Sequence, residues 1–392
     1  MDYFKEEENF IFQTYRRQPL LLVKGKGSYV WDHKGKKYLD FFSGLGVNNL
    51  GHCFPRVAHA ISSQAKTLMH TSNLYYTLPQ IECAKELVRR TFPGKVFFSN
   101  SGAEANECAI KLARRWGKKN GDGRFEIITF QNSFHGRTMA TLSLTGQEKF
   151  QKGFDPLLEK VVYAKFNDPD SVQKLVTKNT CAIFVEPVQG EGGVNPAEKS
   201  FLEFLRKICN DHNLLLVFDE VQCGMGRSGH LFFYQYFGME PDILTMAKAL
   251  GGGLPIGCTL AKEEVASLFN KGDHASTFGG NPVVCKAALS VLRELNKKRL
   301  DSVKGKSKIL IEGLQKLKKQ FPSLILEVRG MGLMLALELK VEGDQLVERA
   351  REQGLLINCT QGKVLRFLPP LIITPVEIKS ALIKLEKCFK DY

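Results

Sequence analysis

The chain has 392 residues, of which 55 are Lys or Arg and 41 are Asp or Glu, so its formal net charge is +14. A hydrophobic fraction of 43% and a charged fraction of 24% are typical of a globular protein and exclude disordered and fibrous chains. A positive net charge is compatible with nucleic acid, an acidic membrane surface or anionic small molecules as partners. The lysines, however, are scattered on helix-like stretches, and no nucleic-acid-binding motif accompanies them. We therefore expect no nucleic acid and no membrane partner.

Residues 1–282 are predicted to contain a hairpin followed by alternating strands and helices. The hairpin strands are 28–31 and 37–40, the later strands are 95–98, 126–130, 161–164, 181–185 and 214–218, and the helices cover about 103–117 and 198–210. This alternation predicts an α/β fold with a mainly parallel sheet that is buried on both faces. Ligands bind such sheets beyond the carboxyl ends of the strands, so the residues after each strand are the candidates for function.

The pattern changes to α+β after residue 282. Helices are predicted at 283–297, 309–321, about 345–351 and after Pro375, with strands at 324–328 and 332–339. We therefore predict a large domain of residues 46–282 and a smaller C-terminal domain of residues 283–392. Residues 1–45 are too few to form a core and are predicted to pack on the smaller domain.

The ten cysteines and the first residues bear on the compartment. The cysteines are scattered without CxxC spacing, which predicts free thiols and neither a disulfide framework nor a metal site. The acidic, polar start lacks the features of a signal peptide, and no run of about 18 apolar residues occurs. We expect a cytoplasmic protein.

A turn of small residues follows the strand at 95–98 and opens a helix. Ser101, Gly102 and Ala103 lie at this helix start, where free backbone N–H groups can bind a phosphate. Ser101 followed by Glu104 is also the pattern of a capping box, and the two interpretations are compatible.

Two charged residues stand at the ends of apolar runs. Asp219 directly follows the strand at 214–218. A carboxylate so close to the buried edge of a sheet is expected to pair with a buried cation, although a solvated strand end is the alternative. Lys248 lies in an apolar run before three glycines. Most lysines are solvated, but a desolvated lysine with a lowered pKa is what covalent attack on a carbonyl requires.

Two further loops follow strands. Phe134 and Arg137 stand three residues apart after the strand at 126–130, and Glu186 precedes a glycine-rich loop after the strand at 181–185. In most proteins this Phe would be a core residue and this Arg a surface charge, so neither loop is specific alone.

Together these motifs resemble a known family. A phosphate turn, a strand-end Asp and a downstream Lys, in this order, are the parts that a pyridoxal phosphate enzyme needs. With the stretch Asp219-Glu-Val-Gln-Cys-Gly-Met-Gly-Arg227 before Lys248, the chain resembles the class III aminotransferases of fold type I almost end to end. Within that class it is most similar to the acetylornithine aminotransferases.

The resemblance implies pyridoxal 5′-phosphate as the cofactor. Lys248 would bind its aldehyde and later move the substrate proton, and Asp219 would keep its ring nitrogen protonated. The other implied cofactor contacts are Ser101, Gly102, Ala103, Phe134, Gln222 and Thr277. Thr277 would reach the phosphate of a neighbouring subunit, which implies a homodimer with shared active sites.

The resemblance also implies how substrates are held. Arg137 would bind the substrate carboxylate, and Arg366 would bind the second carboxylate of 2-oxoglutarate or glutamate. Glu186 would pair with Arg366 while a monocarboxylate donor is bound. The implied reaction transfers the δ-amino group of N-acetyl-L-ornithine to 2-oxoglutarate in arginine biosynthesis; the alternatives are another ω-amine donor (ornithine, succinylornithine, 4-aminobutyrate or a lysine-pathway amine) or a racemase or decarboxylase of the same class.

Overall fold

The secondary structure alternates along the chain in this computed structural model, which describes residues 3–121 and 123–392. The strands in these ranges are β1 (Leu22–Lys26), β2 (Tyr29–Asp32), β3 (Lys37–Asp40), β4 (Lys95–Ser99), β5 (Glu126–Phe130), β6 (Val161–Ala164), β7 (Thr180–Val185), β8 (Val188–Gln189), β9 (Asn195–Pro196), β10 (Leu215–Asp219), β11 (Ile243–Ala247), β12 (Gly257–Ala261), β13 (Ile325–Met331), β14 (Met334–Leu339), β15 (Leu355–Leu356), β16 (Asn358–Thr360) and β17 (Val364–Phe367). The α-helices are α1 (Tyr3–Phe10), α2 (Ser43–Gly46), α3 (Pro55–Thr67), α4 (Leu78–Arg90), α5 (Gly102–Lys119), α6 (Met139–Leu144), α7 (Glu148–Gln151), α8 (Pro169–Leu175), α9 (Lys199–His212), α10 (Phe233–Phe237), α11 (Glu263–Ala266), α12 (Pro282–Glu294), α13 (Lys297–Gln320), α14 (Asp344–Glu352) and α15 (Pro375–Lys390). A 3₁₀ turn spans Lys248–Gly251.

A seven-stranded sheet forms the centre of the molecule, in the order β4-β12-β11-β10-β7-β5-β6. The neighbours from β11 to β6 pair in parallel, and β12 is antiparallel to both β4 and β11, so β12 alone among these seven strands runs in the opposite direction. Every residue of β7, β10, β11 and β12 is buried. Their predominantly apolar sequences reflect burial on both faces. The predicted α/β fold is confirmed.

The sequence of helix α5 fixes the start of this helix at the edge of the sheet. It begins directly after Ser101, whose side chain caps it, and it ends with Lys118 and Lys119 beside the negative end of the helix dipole. Its small and apolar residues, including Ala105, Cys108, Ala109 and Leu112, are buried on the face that contacts β11 and β12. The first turn of α5 is therefore fixed at the carboxyl end of β4.

The C-terminal part of the chain forms an antiparallel sheet in the order β13-β14-β17-β16. Helix α13 packs against β13 and α15. Helix α13 begins twelve residues before the start predicted from the sequence, because Asn296 caps it and its basic first turn is solvated. Strand β17 pairs with β14, with Arg366 opposite Ala336, and so carries Arg366 toward the central sheet.

The N-terminal strands belong to a separate sheet, in the order β1-β2-β3-β15. Its last strand comes from the C-terminal part, where Leu355 pairs with Leu39 in parallel register.

In residues 3–121 and 123–392, no helix has the length and apolar character to cross a membrane. All ten cysteines are free thiols, and eight of them are buried.

Candidate active site

One cavity of about 490 Å³ lies at the carboxyl edge of the central sheet. Its walls come from the segments that follow β4, β5, β7, β10 and β11. The predicted site residues that line it are Ser101, Gly102, Ala103, Phe134, Arg137, Glu186, Asp219, Gln222 and Lys248. Arg366 lies behind the wall, bonded to Glu191 and Gln222, whereas Thr277 is exposed outside this cavity.

The first turn of α5 forms one end of the cavity. Ser101 Oγ accepts a hydrogen bond of 3.2 Å from the N–H of Glu104, which is one half of the predicted capping box. The Glu104 carboxylate accepts from the N–H of Asn100, one residue before the cap, so the box is not closed. The N–H groups of Gly102 and Ala103 lie in the first turn of the helix, where no intrahelical carbonyl oxygen is available to accept from them, so they are free to bind an anion. A Cβ on Gly102 would lie 2.8 Å from Val221 Cγ1, so only glycine fits between the two segments.

Asp219 is a buried carboxylate at the end of β10, with 4% of its surface exposed. Its Oδ2 accepts a hydrogen bond of 2.7 Å from Asn106 Nδ2 and lies 2.8 Å from Nδ1 of His135. Its Oδ1 accepts from the N–H of Val221 at 3.0 Å. These contacts fix the carboxylate at the cavity wall.

Sequence reasoning missed His135 and Asn106. Burial alone would lower the pKa of His135, but the hydrogen bond and charge of Asp219 raise it above its ordinary value. Thr245 Oγ1 donates to Asn106 Oδ1 at 2.7 Å and so orients the Asn106 amide group toward Asp219. The only feature of the sequence that could have indicated a role for His135 is its position directly after Phe134. The sequence does not show that the loop containing His135 contacts the end of β10.

Lys248 follows β11 directly and has a positive φ of 45°. Its amine has no hydrogen bond or ion pair with any residue in ranges 3–121 and 123–392, although it lines the cavity. Burial lowers the pKa of Lys248, against the opposing charges of Glu191 and Asp219. An unpartnered amine with a lowered pKa can act as a nucleophile and as a proton carrier.

Arg366 is almost completely buried, with 1% of its surface exposed. Its Nη1 donates to Glu191 Oε1 at 2.7 Å and to Gln222 Oε1 at 3.0 Å. Gln222 Nε2 also donates to Glu191 Oε1 at 3.0 Å, which closes a triangle of polar contacts. Burial alone would raise the pKa of Glu191, but the Arg366 guanidinium lowers it to about 2.

Glu186 does not contact Arg366 in this structure, and its pairing with Arg366 while a monocarboxylate donor is bound stays a prediction. Glu186 Oε1 accepts from the N–H of Phe134 at 2.8 Å, and its Oε2 accepts from the N–H of Gly190 at 3.2 Å. These two donors hold Glu186 at the base of its loop, and the residue that reaches Arg366 is Glu191, five positions later. Burial, without a cation in contact, raises the pKa of Glu186 to about 7.

Arg137 is exposed at the cavity and forms no ion pair or side-chain hydrogen bond within the part of the chain that the structure describes. Its Cζ lies 3.9 Å from the centroid of the Phe150 ring and 5.4 Å from that of Phe134. The turn before it requires Gly136, which has a φ of 143° and whose Cβ would lie 2.8 Å from Ala103 Cβ. The guanidinium donors of Arg137 are therefore free for a carboxylate.

Comparison with known proteins identifies the family. The family model for class III aminotransferases matches residues 11–389. The chain belongs to the class III aminotransferases. It is 50% identical over 389 residues to the acetylornithine aminotransferase of Methanocaldococcus jannaschii, a match that covers 98% of this chain and 97% of that protein.

Solved structures of this class superimpose on the whole chain. The N-acetylornithine aminotransferase from Stenotrophomonas maltophilia has a TM-score of 0.85 and 36% identity, covering 99% of this chain and 98% of that one. The ornithine aminotransferase from Toxoplasma gondii, described with partial occupancy of pyridoxal phosphate at its active site, has a TM-score of 0.94 and 31% identity, covering 99% and 93%. These matches confirm the predicted fold and class.

The class III aminotransferase family implies pyridoxal phosphate as cofactor, and three features of the cavity fit it. The unpartnered Lys248 amine suits the aldehyde, the free N–H groups at the start of α5 suit the phosphate, and the buried Asp219 carboxylate suits a protonated ring nitrogen. Among the described residues, no group of His, Cys, Asp or Glu side chains is placed to hold a metal ion.

Proposed function

We propose that this protein transfers the δ-amino group of N-acetyl-L-ornithine to 2-oxoglutarate, the aminotransferase step of arginine biosynthesis. The proposal is carried by one observation: about half of the residues are identical, over nearly the whole chain, to an acetylornithine aminotransferase. Two guanidinium groups, Arg137 at the cavity and Arg366 behind its wall, support it because the oxo acid has two carboxylates.

The residues around the cavity would divide the work of this reaction. When bound, pyridoxal phosphate supplies an electron-withdrawing ring that stabilises negative charge on the substrate carbon. Lys248 Nζ would accept the proton from that carbon as a general base and would later give it up as a general acid, so the amine ends in its starting protonation state. Asp219, held by Asn106 and His135, would hold a negative charge beside the ring nitrogen and so favour its protonated form.

The remaining cofactor contacts are proposed from the same cavity. Ser101, Gly102 and Ala103 would hold the phosphate, and Phe134 would stack on the ring. Gln222 would contribute a hydrogen bond to the phenolic oxygen through the second N–H of its Nε2, because the first donates to Glu191 and its Oε1 accepts from Arg366.

The two guanidinium groups would hold the substrates differently. Arg137, without a protein carboxylate, would bind one carboxylate of either substrate. Arg366 is neutralised by Glu191, so a second substrate carboxylate must displace Glu191 to reach it. One cavity could then accept both a monocarboxylate donor and a dicarboxylate acceptor.

Ornithine is the strongest alternative donor, because ornithine aminotransferases superimpose closely on the chain. The donors succinylornithine, 4-aminobutyrate and lysine-pathway amines are further alternatives. All share the same cofactor chemistry, so only rates with each amine distinguish them.

We further propose a cytoplasmic homodimer with shared active sites. Exposed apolar side chains on two segments near Thr277, with Leu74, Tyr75 and Tyr76 in one and Phe278 in the other, support a protein interface there. Asn73 Nδ2 links the two segments by donating to the backbone oxygens of Ser276 and Gly279. Light scattering that gives a mass of 44.0 kDa, the mass of one chain, would contradict the dimer.

The proposed domains are residues 1–45, 46–282 and 283–392. The shared sheet of β1, β2, β3 and β15 supports packing of the first segment on the last. The buried free thiols support a reducing compartment.

The test is the amine-donor profile of the purified protein with 2-oxoglutarate, comparing N-acetylornithine with the alternative donors. Lys248→Ala should abolish both transamination and the visible absorbance of the lysine-bound cofactor. Lys308→Ala, which removes an exposed amine of α13, is the matched control and should retain both. Turnover of N-acetylornithine roughly a hundredfold below that of another donor would contradict the proposed substrate.

A further inference from the structure

The Arg137 guanidinium rests on an aromatic surface. Its Cζ is 3.9 Å from the centroid of the Phe150 ring. A cation this close to a ring is attracted by the negative face of the π system. An aromatic ring accepts no conventional hydrogen bond in the guanidinium plane, and Arg137 donates none to a described residue, so its N–H donors stay available for a carboxylate.

Phe150 is itself firmly placed, because glutamines anchor both sides of it. It lies half-buried on the short helix α7. Before it, Gln147 Nε2 donates to the backbone oxygen of Ser133 at 3.0 Å, in the loop that leads to Arg137. After it, Gln151 Nε2 donates to the backbone oxygen of Thr145 and to the Tyr163 hydroxyl, both at 2.8 Å.

The same ring also contacts Phe134. The two ring centroids are 6.0 Å apart with an interplanar angle of 87°, an edge-to-face arrangement. Phe150 therefore touches both the proposed substrate clamp and the proposed cofactor-stacking ring, although it is not among the residues that line the cavity.

We propose that Phe150 is a positioning residue that holds the Arg137 guanidinium ready to bind a substrate carboxylate. A carboxylate partner would hold Arg137 equally well but would compete with the substrate, whereas an aromatic ring does not. This inference rests on the proposed function, in which Arg137 binds a carboxylate of both the amino donor and the oxo acid.

The test compares Phe150→Leu, Phe150→Tyr and Phe154→Leu as holoenzymes. Phe150→Leu should raise KM for N-acetylornithine and for 2-oxoglutarate by a similar factor of roughly three to thirty, with little change in kcat. Phe150→Tyr keeps an aromatic face and should restore both KM values. Phe154→Leu alters an exposed Phe of the same region, outside the described cation–ring contacts, and should have no effect.

A binding measurement separates this inference from the proposed function. Glutarate has the two carboxylates of 2-oxoglutarate and no reacting group, and its dissociation constant can be measured by calorimetry. Phe150→Leu should weaken glutarate binding by the same factor as it raises KM, even if N-acetylornithine proves to be the wrong donor.

Three results would overturn the inference. Phe150→Leu could leave both KM values and glutarate affinity within about twofold of wild type. Phe150→Met, which fills space without a ring, could restore binding as well as Phe150→Tyr, which would mean that packing alone matters. Arg137→Met could leave glutarate binding unchanged, which would show that Arg137 is not the clamp. A thermal unfolding scan of each variant excludes global unfolding as the cause.

Discussion

The two guanidinium groups, Arg137 at the cavity and Arg366 behind its wall, lie in opposite environments. Arg366 has 1% of its surface exposed and is bonded to Glu191 and Gln222. Arg137 is exposed, and within the described residues its side chain contacts aromatic rings but no carboxylate. One positive charge is neutralised by the protein, and the other is left for a ligand.

This difference separates a permanent binding site from a conditional one. Any substrate with a carboxylate can bind Arg137 without displacing a protein group. A substrate reaches Arg366 only if its carboxylate competes with Glu191, and a monocarboxylate already held at Arg137 has no second anion for that purpose.

The largest effect is expected from Arg137→Met. Loss of a charge-assisted, two-pronged contact should lower kcat/KM by roughly 10²- to 10³-fold for both N-acetylornithine and 2-oxoglutarate. Steady-state kinetics of the two half-reactions measure it. Arg137→Lys keeps the charge without the planar fork and should recover only part of the loss. A loss of kcat/KM for only one of the two substrates would contradict this prediction, because Arg137 would then not bind the carboxylates of both.

A smaller and more selective effect is expected from Glu191→Gln. Without its anionic partner, Arg366 is open to a ligand, so KM for 2-oxoglutarate should fall by about tenfold while N-acetylornithine begins to bind in an unproductive orientation and inhibits. The pKa of Glu191 is lowered to about 2, so Glu191 is ionised at all working pH values and the effect should be the same from pH 6 to 8.

The matched control for that variant is Glu342→Gln. Glu342 forms an ion pair of 4.0 Å with Lys363, but 73% of its side chain is exposed. An exposed pair contributes little, so KM for both substrates should stay at the wild-type value. Equal changes in the two Gln variants would mean that net charge, and not release of Arg366, causes the effect.

The central sheet and most of the site could be predicted from the sequence because they depend on local patterns. Buried strands are predominantly apolar runs, and the candidate site residues Asp219 and Lys248 stand directly at their ends. The partner of Arg366 could not be predicted, since Glu186 and Glu191 lie in one glycine-rich loop that has no regular period. The role of His135 was missed for the same reason, because its contact depends on the path of a loop toward a strand 84 residues away.

The smallest effect concerns those two loop carboxylates, which differ in whether a cation contacts them. Burial raises the pKa of Glu186 to about 7, whereas Arg366 lowers that of Glu191 to about 2. A carboxyl with a raised pKa binds its proton more tightly in the folded state than in the unfolded state. Its contribution to stability is therefore full below the ordinary value near 4.3 and is lost as the pH rises to about 7.

Glu186→Gln removes this titration but keeps a side chain of similar size. Its single acceptor oxygen cannot serve both the Phe134 and the Gly190 N–H groups, which adds a cost that is independent of pH. Relative to wild type, the variant should therefore gain on the order of 1 kcal/mol in free energy of unfolding between about pH 4.5 and 7. Urea unfolding at several pH values measures this slope. Glu191→Gln should show no such slope in the same range, because the pKa of the Glu191 carboxylate that it removes is about 2 in the folded state and near 4.3 in the unfolded state. A flat difference for Glu186→Gln would mean that Glu186 is ionised like Glu191, and that a guanidinium is not what distinguishes the two carboxylates.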